Sequence, residues 1–192
     1  GTITLADSEN VFTGGVTVLG GTDVTLVNNG TLAIGGLTAS GDADLTAAGD
    51  ITQTGALNVS GTTTLDADGE INLGTASNIF GGAVSVTGGT NVTLEAAGGL
   101  EMGSVNATGA VGLTATGDIT GGTVVADTLT ANSTGGDISL NTTVSTISSA
   151  VANGDVTLSQ TGNQAVAITS VSSGGNITLS TVGTTAGTGM TL

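Results

Sequence analysis

The sequence predicts an all-β chain wound as a parallel β-solenoid. Three observations predict it: an internal repeat held in register, apolar residues alternating at a period of two, and a composition without proline or basic residues. Shifted along itself until Asn10 meets Asn78, the first third falls on the second without a gap. The same shift brings Phe12 and Gly14 onto Phe80 and Gly82, Val24-Thr25-Leu26 onto Val92-Thr93-Leu94, and Gly49-Asp50-Ile51-Thr52 onto Gly117-Asp118-Ile119-Thr120. Apolar positions are kept and polar ones drift, as expected of stacked units that share one core. An antiparallel sandwich has no reason to repeat in this way.

The strands are read from pairs such as Ile3/Leu5, Val24/Leu26, Leu32/Ile34, Ala43/Leu45, Leu57/Val59, Ile71/Leu73 and Val111/Leu113, each split by one residue. Such spacing puts one side chain inward and the next outward. Gly-Gly, Gly-Asp, Asn-Gly and Ser-Gly pairs separate them, and these glycines are expected to supply positive-φ turn positions. About nine strand-like segments per repeat, taken three to a coil, predict three coils of about 22 to 23 residues and a rise of about 14 Å per repeat. Residues 1–68 and 69–136 read as tandem copies and 137–192 as diverged, shorter coils, all in one β-helix fragment of a longer chain. In that last part the motif returns at closer intervals, as Gly136-Asp137-Ile138, Gly154-Asp155-Val156 and Gly175-Asn176-Ile177. Proline is absent because a strand paired above and below has no N–H to spare.

Composition excludes several functions. Fifteen carboxylates and no Lys or Arg give a formal charge of −15, which repels phosphate backbones and anionic lipid. Nucleic acid is therefore excluded as a partner, and no apolar run is long enough for membrane insertion as a helix. Only 8% of residues are charged, so the surface is made mainly of Thr, Ser, Asn and Gly. Phe12 and Phe80 are the only aromatics; three coils should separate them, so each packs on aliphatic neighbours. There is no cysteine to staple the fold.

The segments Asn10-Val11-Phe12-Thr13-Gly14-Gly15-Val16-Thr17-Val18 and Asn78-Ile79-Phe80-Gly81-Gly82-Ala83-Val84-Ser85-Val86, each followed by Gly-Gly-Thr-Asx-Val-Thr-Leu, resemble repeats of very large filamentous-haemagglutinin-like exoproteins. So do Ala47 to Gly61 and the Gly-Asp-Ile-Ser-Leu motifs. The resemblance implies a right-handed parallel β-helix in the shaft of a secreted adhesin on the bacterial cell surface, extracellular, exported through an outer-membrane partner. It implies as partners other copies of the chain, or glycans and proteins of host and cell surfaces. The family's secretion domain carries an Asn-Pro-Asn-Gly type motif, which a chain without proline cannot hold, so this piece reads as shaft. The other structural reading is a filament or sheath whose chains stack end to end.

Two carboxylate pairs, Asp42/Asp44 and Asp66/Asp68, meet the residue-type requirement of a glycosidase. Neither has a basic or imidazole helper, and the repeat replaces them by Ala110/Gly112 and Thr134/Gly136, so no catalytic residue is assigned and no enzyme is expected. Asp66, Asp68 and Glu70 imitate the start of a calcium loop, but Ile71 stands where the loop needs glycine and Ser77 where it needs glutamate, so no cofactor is assigned. Asp50, Asp118, Asp137 and Asp155, and Asn176 by its amide, each follow glycine at a strand entrance and are expected to accept a backbone N–H there. Asn10 and Asn78 are expected to satisfy a turn or a buried amide ladder. The pairs Thr62/Thr64 and Thr128/Thr130, with Thr184, do not recur at one coil spacing, so the flat threonine array of an ice-binding solenoid is not expected.

Overall fold

The computed structural model describes residues 1–162, 164–182 and 190–191. These described residues contain no helix. The strands stack in parallel as a β-solenoid of about nine turns, each turn presenting three faces. On the first face Ile3–Leu5, Val24–Asn28, Ala43–Ala47, Thr63–Ala67 and Val84–Gly88 follow one another, with Ile3 against Val24, Val24 against Ala43, Ala43 against Thr63 and Thr63 against Val84. The second face carries Leu32, Ile51, Ile71, Val92, Val111, Leu129 and Ile147 in file. The third pairs Leu37 with Leu57 and Val59 with Phe80, and its upper part runs Leu100, Ile119, Ile138, Val156, Ile177.

Those registers correct the expected coil. From Val24 the file climbs through Ala43 and Thr63 to Val84, and from Leu100 through Ile119, Ile138 and Val156 to Ile177, each step shorter than the coil that the repeat suggested. One repeat is therefore three turns and one face, not three turns. Three turns above Val24 stands Val84, while its repeat-equivalent Val92 opens the second face. Leu32 of the second face likewise maps to Leu100 of the third, and Val18, paired with Leu37 on the third, maps to Val86 of the first. Each copy thus climbs about 16 Å and turns by one face.

The period-two alternation does place the core. Leu26, Leu45, Leu65, Val86, Val105 and Val124 form one inward column, and each is buried. Burying one such side chain is worth about 1.5–3 kcal/mol, and every turn repeats the gain on three faces. Phe80 lies in the core against Val59, whereas Phe12 packs at its margin with its N–H on Asn28 Oδ1 (2.7 Å).

The glycine expectation is corrected too. Among the described residues only Gly30, Gly36, Gly121 and Gly162 have positive φ. The corner glycines are required for a different reason, seen at the site below.

Candidate functional site

The polar groups that recur with the fold lie at the corners. Asp118 Oδ1 accepts the N–H of Asp137 one turn up (2.9 Å), Asp137 Oδ1 that of Asp155 (2.7 Å), and Asp155 Oδ1 that of Asn176 (2.7 Å). On other edges Asp23 Oδ1 accepts from Asp42, Asp42 Oδ1 from Thr62 N–H and Oγ1, Asp50 Oδ1 from Glu70, and Asn91 Oδ1 from Ala110. The carboxylates do accept backbone N–H groups as expected, but from the next turn and not from their own. Glycine precedes each receiving residue because the side chain from below occupies its Cβ position. A Cβ on Gly136 would strike Asp118 Oδ1, one on Gly154 Asp137 Oδ1, and one on Gly175 Asp155 Oδ1. In Gly-Asp, therefore, the glycine receives the previous turn and the aspartate holds the next.

A second polar group lies inside. Asn78 is fully buried: its Nδ2 donates to Gln53 Oε1 (3.0 Å), Leu73 O (2.8 Å) and Glu95 O (3.0 Å), and its Oδ1 accepts from Gln53 Nε2 (2.8 Å) and Leu57 N–H (2.9 Å). Asn10, its repeat-equivalent, makes the same kind of bond back along its own chain, Nδ2 to Leu5 O. The backbone bond of the site is kept as well, Asn29 N–H to Asn10 O and Ala97 N–H to Asn78 O. Asn28 and Gln160 are further buried amides, the first bridging Phe12 N–H and Thr31 O, the second Thr142 Oγ1 and Val144 O. Sequence reading missed Gln53, Asn28 and Gln160, although each stands where the alternation points inward: Ile51-x-Gln53, Leu26-x-Asn28, Leu158-x-Gln160. Thr63 Oγ1 is buried and has no hydrogen-bond partner among the described residues.

The outward positions also fall into files. Glu101, Thr120, Ser139, Thr157 and Thr178 stand one above another on the third face, with Asn141, Ser159 and Ser180 in the file beside them. Of the threonines singled out in the sequence, Thr64 stands between Asp44 and Ser85, Thr128 lies below Thr146 and Thr130 below Ser149, and Thr184 lies outside the described residues.

The acidic candidates do not converge. Asp66 and Asp68 line a cleft of about 180 Å³ with Ser8, Val27 and Thr46, and Glu70 is not on it. Extended backbone turns Asp66 and Asp68 outward around buried Ala67, and Gly69 carries Glu70 past the corner, its N–H on Asp50. Among the described residues no group of three or more His, Cys, Asp or Glu is placed to hold a metal ion. Asp42 is held in the corner ladder by Thr62, and Asp44 projects from the neighbouring file between Thr25 and Thr64.

Residues 21–87 and 89–152 each match the model of a family described as repeats of unknown function (DUF5649). The chain belongs to this repeat family. The two DUF5649 segments begin at repeat-equivalent glycines, Gly21 ahead of the first-face strand Val24–Asn28 and Gly89 ahead of the second-face strand Val92–Ala96, so the family unit carries the one-face advance described above. No curated protein and no solved structure shows significant similarity to the chain.

Proposed function

We propose that this DUF5649 chain is a non-enzymatic shaft segment of a secreted bacterial surface fibre, like the filamentous-haemagglutinin-like exoproteins its repeats resemble, which gives reach and makes multivalent contacts with cells or biofilm. The observation that carries the reading is the set of uncharged outward files, above all Thr120, Ser139, Thr157 and Thr178, repeating turn after turn on a rod whose backbone is paired along its length. Each hydroxyl offers one weak contact, and a rigid row of them adds such contacts at fixed spacing. The net charge of −15, with no cation to pair within the chain, keeps rods apart in solution.

Beads coated with the folded chain at graded density test this against surfaces bearing cells or glycans. Retention under flow should rise more steeply than linearly with density, and should fall when Ser139→Glu and Thr157→Glu put charge into the file. Retention that ignores both density and the two substitutions would refute the reading.

A further inference from the structure

The chain contains three Asx-Gly pairs: Asn29-Gly30, Asp68-Gly69 and Asn153-Gly154. In two of them the glycine N–H is tied to the turn below, Gly69 to Gly49 O (3.0 Å) and Gly154 to Gly136 O (2.9 Å). Gly30 differs. Beneath it runs the irregular connection after Ile3–Leu5, whose Asn10 O receives the N–H of Asn29, and among the described residues nothing accepts the N–H of Gly30. Asn29 is exposed, its carboxamide makes no hydrogen bond among the described residues, and Gly30 adds no Cβ to obstruct the approach of its nitrogen.

We propose that Asn29-Gly30 is a self-modification site. The Gly30 amide nitrogen attacks Asn29 Cγ and forms the ring C–N bond; its proton passes to the carboxamide nitrogen, which leaves as ammonia. Water then opens the succinimide at either carbonyl, yielding aspartate or isoaspartate. At Asn153 the same attack first requires breaking the Gly154 bond to Gly136. The product matters to the fold, because isoaspartate adds a methylene to the main chain inside the corner that Asn28 closes through Phe12 N–H and Thr31 O. The first coil is then held less firmly to the second.

The test incubates the intact folded chain in mildly alkaline buffer, digests timed samples with pepsin, and follows the one-dalton gain and isoaspartate by mass spectrometry. Conversion at Asn29 should run about fivefold or more ahead of Asn153, the factor withheld by one ordinary hydrogen bond. In chaotrope the two rates should converge. Equal rates in the folded chain would overturn the proposal, as would an unchanged ratio in the unfolded one. In Asn29→Gln, a gain that persists in the peptide holding Asn28, as distinct from the one holding Asn153, would place the reaction at Asn28 and overturn it as well.

Discussion

Val24 and Val92 hold the same place in the internal repeat and lie on different faces of the rod, because three turns lift Val24 only to Val84. Spin labels can measure this phase. Labels at Thr25 and Ser85, which share one outward file three turns apart, should lie about 14 Å apart along the axis. Labels at Thr25 and Thr93 should lie farther apart, since they leave different faces as well as different heights. A shorter Thr25–Thr93 distance would return the repeat to three whole turns.

The sequence could not reveal that phase, and the reason is physical. All three faces are the same half-buried parallel strand, so Val24 and Val92 meet the same chemistry after one face as after one turn. Dividing the repeat into whole coils then overestimates the coil. Inward columns and corner aspartates were legible, because a two-residue period and a Gly-Asp pair each have one structural meaning here. Gln53 and Gln160 were passed over although the alternation marks them, since a polar residue at an inward position signals burial only once its partner, Asn78 or Thr142, is known.

Asn78 should be the costliest polar residue to truncate. Asn78→Ala leaves Leu57 N–H, Leu73 O and the Gln53 amide without their partner in the core, and is expected to lose about 3 kcal/mol or more. Pairing it with Gln53→Ala should recover about 1 kcal/mol or more of the sum of the single losses, because the two amides bond reciprocally. Denaturant titration of the four proteins measures the coupling, and strict additivity would contradict it.

Thr63 gives the opposite sign. Its hydroxyl is buried without a partner among the described residues, between Ala43 and Val84 in the same column. Thr63→Val keeps the shape and removes the unsatisfied oxygen, so stability should rise by about 1 kcal/mol. A fall in the denaturation midpoint would show that the oxygen is satisfied in solution.

The corner ladder stacks like charges with no cation in the chain to offset them. Asp118, Asp137 and Asp155 succeed one another turn by turn, so salt should raise the melting temperature, the reverse of a fold held by ion pairs. Asp137→Asn keeps an acceptor for the Asp155 N–H, as Asn91 does for Ala110, and should be neutral or stabilising by a few tenths of a kcal/mol at low salt. Asp137→Ala removes the same charge but also the acceptor, so it should cost about 1 kcal/mol more than Asp137→Asn at every salt concentration. Thermal melts of both variants across ionic strength separate the two contributions.

Gly154 tests why glycine precedes the ladder residue. Its φ is not positive, so an L side chain is compatible with the backbone, but a Cβ there would collide with Asp137 Oδ1 and Cγ. Gly154→Ala should therefore cost about 2 kcal/mol by displacing the carboxylate from the Asp155 N–H. Gly98→Ala, with nothing within 4 Å of the added methyl, should stay within about 0.5 kcal/mol of the parent. Removing the obstacle decides the cause: in an Asp137→Ala background, Gly154→Ala should lose most of its cost, because the methyl then fills the space the carboxylate left. If the cost is unchanged there, the glycine is required by the backbone and not by the side chain of the turn below.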